Sequence, residues 1–180
     1  SVNDDEAKRN MASDIDQLDA IIDKFMDYAR PGDVKLVPVH LSSLVDREMA
    51  AFRDTSQIRI TARVAIDTKV LADEIELGRV LQNLFENARR YGRSTDTGIA
   101  KVVVTYARTG PWVILSVRDY GPGVDPAKLA QLTTPFFRGD AARLGLAIVD
   151  KAMQRMGGTF EAANAADGGL VCHLRLKKAP

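Results

Sequence analysis

Residues 83–91 read Asn-Leu-Phe-Glu-Asn-Ala-Arg-Arg-Tyr, and this stretch says more about the chain than any other. On a helix, Asn83, Asn87 and Arg90 are separated by four and three residues, so their side chains share one stripe beside the core-facing side. An amide oxygen is a neutral, hard ligand suited to Mg²⁺, which takes most of its coordination from phosphates and water. A guanidinium one turn later can pair with phosphate oxygens. On its own, such an asparagine pair is better explained as an exposed polar edge with a capping role.

An acidic residue at the end of an apolar strand supplies a second element. Asp119 is followed by Gly121-Pro122-Gly123. In a partly dry pocket its carboxylate can accept a hydrogen bond from a purine amino group, and such a charge-assisted bond contributes roughly 1.5–3 kcal/mol. The glycines let the backbone pass close to a ligand. Taken alone, Asp-x-Gly-x-Gly is more often an ordinary turn.

Two further elements follow along the chain. Residues 136–140, Phe-Phe-Arg-Gly-Asp, suggest an aromatic anchor for a mobile segment. Residues 144–146, Leu-Gly-Leu, are expected to open a helix whose N-terminal amides can receive phosphate. A core aromatic pair and an ordinary helix start are the simpler alternatives. The order and spacing of all four elements together favour a nucleotide pocket unlike the P-loop.

The bulk composition narrows the classes of protein. A chain of 180 residues has room for one domain with a full core plus an appendage. The formal net charge of +1 gives no reason to expect nucleic acid or a membrane surface as a partner. The single cysteine, Cys172, cannot form an internal disulfide, which fits a reducing compartment. No apolar run approaches the roughly 20 residues of a membrane helix, and no signal-peptide pattern opens the chain. We therefore expect a soluble chain, which can still be a piece of a larger membrane protein.

A long N-terminal helix is predicted over residues 3–29. Apolar residues alternate at spacings of four and three along it and form a narrow seam: Met11, Ile15, Leu18, Ile22, Phe25 and Ala29. Pro31-Gly32 ends the helix. Such a helix can lie on its own domain or form half of a helical hairpin or dimer stem, and the narrow seam favours the stem.

The remaining pattern predicts an α+β domain. The elements expected after a linker at 33–38 are a helix at 41–52, a strand at 58–66, a helix at 73–91, strands at 101–107 and 112–118, a helix at 144–156, and strands at 159–163 and 170–176. Asp73 is expected to cap the helix at 73–91. The core side of that helix is expected to carry Ile75, Leu77, Val80, Leu81, Leu84 and Ala88. We expect a two-layer α/β sandwich, in which helices cover one face of a mixed, mostly antiparallel sheet, preceded by the long N-terminal helix.

The four elements in this order resemble the catalytic ATP-binding domain of bacterial two-component sensor histidine kinases, a domain of the GHKL (Bergerat) fold. The likeness rests on Asn-x-x-x-Asn-Ala-x-Arg-Tyr, Asp-x-Gly-x-Gly, Phe-Phe-Arg-Gly-Asp and Leu-Gly-Leu-Ala-Ile-Val, and it is greatest to the EnvZ osmosensor type. It covers residues 37–177. Residues 20–30 resemble the second helix of the family's dimerisation and phosphoacceptor hairpin. The resemblance implies part of that hairpin over residues 1–31 and an ATP-binding domain over residues 35–180.

The resemblance also implies a role for each matching residue. Asn87 is expected to be the Mg²⁺ ligand, and Arg90, the other expected catalytic residue, is expected to approach the phosphates. Asn83 is expected to lie beside Asn87 in the ATP site. Tyr91 is expected to line that site, and Asp119 to read the adenine amino group. The remaining expected ATP-binding residues are Gly121 and Gly123 on the floor, Gly145 and Leu146 at the phosphate end, and Phe137 with Arg138 from the Phe-Phe-Arg-Gly segment.

Asn83 separates two kinds of ATP chemistry among relatives of this fold. DNA gyrase, mismatch-repair ATPases and serine-kinase anti-sigma factors resemble this pocket but carry a glutamate four residues before the metal asparagine, and a glutamate can act as a general base. An amide cannot accept a proton in that way, so Asn83 favours phosphoryl transfer to a histidine, whose imidazole is itself the nucleophile. Glu86 lies on a different helical face and is not counted as the base. The alternatives are a GHKL-type ATPase or serine kinase, and a non-enzymatic nucleotide-binding module.

The chain departs from the family pattern in two ways. The family's phosphoacceptor histidine has a His-Glu/Asp-x-x-x-Pro setting, whereas His40 lies in a linker context and His173 in a strand, so both are predicted to be structural or solvent-facing. The family also has a glycine-rich lid, but here Arg143 runs directly into Leu144. Either the lid is deleted or its residues are omitted from this sequence, and we favour omission.

We therefore expect the cytoplasmic part of a bacterial inner-membrane sensor kinase that transfers the ATP γ-phosphoryl group to a histidine outside this chain. The expected cofactors are ATP and Mg²⁺. The expected protein partners are the phosphoacceptor hairpin of the same protein, a response regulator, and a second copy in a full-length homodimer. Nucleic acid is not expected to bind.

Overall fold

The computed structural model describes residues 2–29, 33–134 and 141–180. Its helices are α1 (Val2–Ala29), α2 (Leu41–Ala50), α3 (Glu74–Tyr91), α4 (Pro126–Leu129) and α5 (Ala141–Arg155). Its strands are β1 (Val37–His40), β2 (Ile58–Arg63), β3 (Lys69–Ala72), β4 (Ala100–Thr109), β5 (Trp112–Asp119), β6 (Thr159–Asn164) and β7 (Leu170–Lys177). Helices and strands are therefore mixed along the chain, as an α+β fold requires.

The main sheet has five strands in the order β2-β4-β5-β7-β6. Strands β4, β5, β7 and β6 pair with their neighbours antiparallel, whereas β2 pairs with β4 in parallel. Strands β1 and β3 form a separate antiparallel pair. The prediction of a mixed, mostly antiparallel sheet is confirmed.

One face of the main sheet forms the core with helices α3 and α5. Along β5, Val113, Leu115 and Val117 are buried while their neighbours are half-exposed, the period-two pattern of a strand with one covered face. Phe85 of α3 and Met153 of α5 are fully buried in the same core. The predicted two-layer arrangement, with helices packed against the sheet, is confirmed.

A charged contact joins α3 to α5 within this layer. Arg155 Nη2 lies 3.1 Å from Glu76 Oε2, and both side chains are largely buried. A buried charge is tolerated only when it is paired. Glu76 Oε1 also lies 3.4 Å from Arg79 Nη1 on its own helix, so Glu76 links charges of both helices and helps to set how they lie against each other.

Several predicted boundaries and one predicted core residue were wrong. Ile75 is 68% exposed, because it lies about 200° around the helix from the buried Leu77. The linker predicted at 33–38 ends in β1, and β3 was missed; each has four residues, too few for a clear alternating pattern. Helix α5 begins at Ala141, three residues before its predicted start.

The predicted N-terminal helix is present as α1, and it contacts the rest of the chain near its C-terminal end. Lys24 and Tyr28 are half-buried, and Tyr28 packs against Ala147 and Ile148 of α5. The Lys151 ammonium lies 4.4 Å from the centre of the Tyr28 ring, within the range of a cation–π contact. Helix α1 therefore runs beside α5.

The apolar seam of α1 faces away from this contact. Its members remain 43–64% exposed: Met11, Ile15, Leu18, Ile22 and Phe25. At 100° per residue, the seam lies roughly 100° around the helix from Lys24 and Tyr28. Helix α1 thus presents one face to α5 and leaves a second, apolar face exposed. In the described ranges, none of the helices combines the length and apolar character needed to cross a membrane.

Candidate functional site

Helix α3 positions the asparagine stripe, and Asp73 fixes where that helix begins. Asp73 Oδ1 accepts hydrogen bonds from the backbone N–H groups of Ile75 and Glu76, both at 3.1 Å, as an N-cap does. Its Oδ2 accepts a third from Lys35 N at 2.9 Å. Burial acts to raise the pKa of Asp73, but these three bonds outweigh it and lower the pKa. The predicted cap is confirmed.

Asn87 lines a cavity and has a buried amide oxygen without a partner among the described residues. The residue is only 6% exposed, and its Oδ1 is a buried polar atom without a hydrogen-bond partner among the described residues. A buried carbonyl oxygen left unpaired costs about 1–3 kcal/mol. That cost is recovered if a cation or a donor on a ligand occupies the cavity, so Asn87 fits the donor expected for Mg²⁺.

Asn83, one turn earlier, has both ends of its amide engaged. Its Nδ2 donates to the Arg79 carbonyl oxygen at 2.9 Å, and its Oδ1 accepts from Lys24 Nζ of α1 at 2.6 Å. Gly145 of α5 lies close on another side, because a Cβ there would be 3.2 Å from Asn83 Oδ1. The two asparagines therefore lie on one stripe, but only the Asn83 amide has both of its polar atoms hydrogen-bonded.

Asp119 is a buried carboxylate held in a fixed orientation. Its Oδ1 accepts from Gly121 N at 3.0 Å and from Leu170 N at 3.1 Å. Both of these donors reach Oδ1; Oδ2 lies close to Gly92, where a Cβ would be 2.7 Å from it. Burial raises the pKa of Asp119; the two backbone bonds and the charge of Arg118 oppose this rise without cancelling it.

The loop after Asp119 depends on glycine at two places. A Cβ on Gly121 would lie 2.5–2.7 Å from backbone atoms of Gly92, so the end of α3 and this loop touch through their backbones. Gly123 has φ +75°, in the left-handed region that favours glycine, and a Cβ there would lie 2.8 Å from Asn164 Oδ1. Asn164 in turn holds the loop, since its side chain bonds both Val124 N and Val124 O, at 2.9 and 2.6 Å.

These pieces enclose a cavity of about 240 Å³. Its lining comes from α3, from the end of β5 with its loop, and from β7: Asn87, Tyr91, Asp119, Pro122, Gly123, Val124 and Leu170. A larger cavity, of about 300 Å³, lies between α2 and β2 and is lined by Met49, Phe52 and Arg53 among others. It is not lined by Asn87 or Asp119. We therefore choose the smaller cavity as the candidate site because of the polar residues that line it, not because of its volume.

A sequence profile of the histidine kinase-, DNA gyrase B- and HSP90-like ATPases matches residues 72–180, which include every residue lining this cavity. The chain belongs to this family. Within it, the chain has the catalytic ATP-binding domain of the sensor histidine kinases. A sensor histidine kinase ZraS of Klebsiella oxytoca is 32% identical over 168 residues, covering 88% of this chain and 35% of the relative. The chain thus spans about a third of the length of the curated relatives it matches.

Solved structures of sensor kinases share the fold of this ATPase domain. The mycobacterial sensor histidine kinase MprB aligns with a TM-score of 0.70 and 27% identity, over 81% of this chain and 99% of that one. Full-length ShkA, whose structure is a complex with AMPPNP, aligns with a TM-score of 0.77 and 27% identity, over 91% of this chain and 37% of that one.

The ATPase fold brings only some of the predicted site residues to the cavity. Asn87, Tyr91, Asp119 and Gly123 line it. The Gly121 backbone N–H donates a hydrogen bond to Asp119 Oδ1. The Arg90 side chain is 54% exposed, with its Nε 3.4 Å from Glu86 Oε1. The roles of all these residues in nucleotide binding stay predictions.

The other predicted members of the ATP site do not line this cavity or lie outside the described residues. Gly145 packs under Asn83, and Leu146 is fully buried in the hydrophobic core. Phe137 and Arg138 lie outside the described residues. Arg143 and Leu144, between which the lid was predicted, are consecutive residues of helix α5.

Several residues that shape this candidate site were not predicted from the sequence. Gly92 gives Gly121 its close approach, Leu170 supplies a backbone donor to Asp119, and Asn164 holds the loop. Gly92 directly follows the last predicted helical residue, which is a recognisable signal for a helix end. Leu170 and Asn164 lie more than 40 residues from Asp119 and offered no local signal.

The two histidines have the surroundings expected of structural or surface residues. His173 is half-buried on β7, and its Nδ1 lies 2.8 Å from Ser116 Oγ on the adjacent strand β5. His40 is exposed at the start of α2. Neither lies at the cavity.

Proposed function

We propose that this chain binds Mg²⁺-ATP in the cavity beside Asn87 and Asp119 and transfers the γ-phosphoryl group to a histidine outside the chain, as part of a sensor histidine kinase. The observation that carries the proposal is the unpaired, buried Asn87 Oδ1 in the same small cavity as an oriented carboxylate. One atom suits a cation, and the other suits an amino group. A purine nucleotide with a bound divalent ion carries both.

Each side chain has a distinct part in the proposal. Asp119 accepts from the adenine amino group through Oδ2, while its Oδ1 stays bonded to the backbone and fixes the angle. Asn87 would hold Mg²⁺, which would supply charge neutralisation for the phosphates. Arg90 reaches the phosphates by leaving its pair with Glu86, which is inexpensive because exposed pairs contribute only about 0.2–1 kcal/mol.

Transfer to histidine is favoured over hydrolysis because the cavity has no carboxylate placed as a general base among the described residues. Glu86 pairs with both Arg89 and Arg90, and the hydrogen bond from Arg89, ahead of all other causes, lowers the pKa of Glu86. A carboxylate held ionised by the Arg89 guanidinium, which stays paired when Arg90 leaves, is a poor proton acceptor. Asn83 is an amide and cannot take that role either. An imidazole acceptor needs no such base.

We also propose how this chain is divided into domains and how it functions within the full-length protein. Residues 1–31 would be the second helix of a dimerisation hairpin and residues 35–180 the catalytic domain; the exposed seam of α1 supports this division, because it suits a partner helix. The full-length protein would be a homodimer anchored in a bacterial inner membrane, with this part in the cytoplasm, and would pass the phosphoryl group to a response regulator. Membership of the EnvZ osmosensor type remains a proposal, since the matched relatives include ZraS and MprB kinases.

A phosphotransfer assay tests the proposal. The chain is incubated with Mg²⁺ and γ-labelled ATP, with and without the phosphoacceptor hairpin of the same full-length protein. We expect an acid-labile, alkali-stable label on the hairpin, none on a hairpin whose histidine is replaced by alanine, and none when the chain carries Asn87→Ala. Rapid release of labelled phosphate without the hairpin would instead identify an ATPase. Tight ATP binding without any transfer would identify a nucleotide-binding module.

A further inference from the structure

The contact between α1 and the asparagine stripe is direct and specific. Lys24 Nζ donates to Asn83 Oδ1 at 2.6 Å, across 59 residues of sequence. Because Asn83 Nδ2 is already bonded to the Arg79 carbonyl, the amide is engaged at both ends. Asn83 is only 6% exposed. The oxygen is therefore committed to the Lys24 ammonium.

The position of Lys24 is set by the packing of α1 against α5. Tyr28, one turn later on α1, packs on Ala147 and Ile148 and lies beneath the Lys151 ammonium. Gly145, in the same stretch of α5, also lies close to Asn83 Oδ1. The amide oxygen thus sits between α1 and α5, and the ammonium reaches it only while α1 is docked.

The docked ammonium opposes a second cation at the same stripe. Asn83 and Asn87 are one helical turn apart, which separates their Cβ atoms by about 6 Å. At that range, and partly buried, two positive charges repel each other appreciably. Lys24 therefore disfavours a divalent ion at Asn87 both by its charge and by occupying the neighbouring amide oxygen.

We propose that docking of α1 through Lys24 and binding of the Mg²⁺-nucleotide compete for the asparagine stripe, so that the stem helix regulates the site directly. This inference rests on the proposed function, because it concerns the same cavity. Coupling between two binding events is reciprocal. Docked α1 weakens Mg²⁺-nucleotide binding, and bound Mg²⁺-nucleotide loosens the end of α1.

The test compares the Mg²⁺ dependence of ATP affinity in the 180-residue chain and in its Lys24→Met variant. Methionine keeps the length of the side chain and removes the charge. The dissociation constant for ATP is measured by calorimetry with excess Mg²⁺ and again with EDTA. Because a hydrogen bond from a charged group is lost, we expect the factor by which Mg²⁺ tightens ATP binding to rise about tenfold in Lys24→Met. Lys8→Met, the same change at an exposed position far along α1, is expected to leave that factor unchanged.

A second readout does not depend on the variant folding identically. Amide hydrogen exchange of residues 21–29 is measured in the wild-type chain before and after addition of Mg²⁺-ATP, and we expect faster exchange after addition. Slower exchange there, or a Mg²⁺ factor in Lys24→Met no greater than that of the wild type, would overturn the inference alone. A wild-type chain that binds no ATP would overturn the proposed function and this inference together.

Discussion

Asp119→Asn distinguishes the roles of the two carboxylate oxygens, because it can keep the acceptor at Oδ1 while replacing Oδ2 with a donor. In the folded protein, Oδ1 accepts from Gly121 N and Leu170 N, and an asparagine oxygen can keep both bonds. Those bonds then place the new Nδ2 at the position of Oδ2, the atom proposed to accept from the adenine amino group. A donor replaces an acceptor at the place where the adenine amino group also donates.

The expected loss is that of one charge-assisted hydrogen bond, roughly 1.5–3 kcal/mol. This corresponds to about a 10- to 150-fold larger dissociation constant for ATP. Guanine carries an acceptor oxygen where adenine carries its amino group, so GTP should lose less affinity or gain some. The preference for ATP over GTP should therefore fall in the variant, because the two nucleotides do not lose affinity equally.

Calorimetry with ATP and GTP on wild type, Asp119→Asn and Asp96→Asn measures these quantities. Asp96 is an exposed loop carboxylate, and its substitution is expected to change neither affinity. Unchanged ATP affinity in Asp119→Asn would refute the assignment of adenine to Oδ2. An equal loss for ATP and GTP would refute it as well, because a general disturbance of the cavity does not distinguish the bases.

The same variant has an expected effect on stability. Burial raises the pKa of Asp119 above its ordinary value, so the folded state holds this proton more tightly than the unfolded state does. The ionised form therefore costs stability above the folded-state pKa, and the cost disappears below the ordinary value. The free energy of unfolding of Asp119→Asn, compared with that of the wild type, should therefore be more favourable near pH 7 than near pH 3. Urea unfolding at both pH values measures this, and a stability difference independent of pH would contradict it.

Three other substitutions or reactions test the surroundings of the site. Gly121→Ala places a Cβ within 2.5–2.7 Å of the Gly92 backbone and should lower the free energy of unfolding by about 1–3 kcal/mol, measured by urea denaturation; no loss would mean that the two backbones are farther apart. Asp73→Ala removes the cap of α3 and should cost about 1–2 kcal/mol near neutral pH, whereas Asp73→Asn keeps an acceptor and should cost less. Because the Asp73 pKa is lowered in the folded state, the cost of Asp73→Ala should shrink as the pH falls below the ordinary aspartate range, and a constant cost would contradict this. Burial, with a smaller effect from the charge of Asp119, raises the pKa of Cys172 to about 12, so native protein should resist iodoacetamide at pH 8 and react only after unfolding, as mass spectrometry can show.

Local patterns predicted the part of the site that one element carries. Asp73 and the core-facing leucines of α3 follow helix rules that need no tertiary information, and these rules place Asn83 and Asn87 on one stripe. The end of β5 at Asp119 follows from strand alternation in the same way. Both elements were therefore predicted with nearly their observed bounds.

The remainder of the site arises from long-range contacts that no local pattern encodes. The donor to Asp119 at Leu170 comes from β7, and the partner of Asn83 comes from α1. The sequence alone assigned the two asparagines similar surroundings. Only the tertiary structure separates Asn87, which lines the cavity and whose Oδ1 has no partner among the described residues, from Asn83, which is bonded to Lys24.

The unpaired Asn87 oxygen is the centre of the account, and the Mg²⁺ dependence of ATP binding in Asn87→Ala tests it most directly. The dissociation constants for ATP of wild type and variant are measured with Mg²⁺ and with EDTA. The account predicts that Mg²⁺ tightens ATP binding to the wild type and not to Asn87→Ala, while the two proteins bind ATP similarly in EDTA. If Mg²⁺ tightens ATP binding equally in both, Asn87 does not hold the metal and the account is wrong.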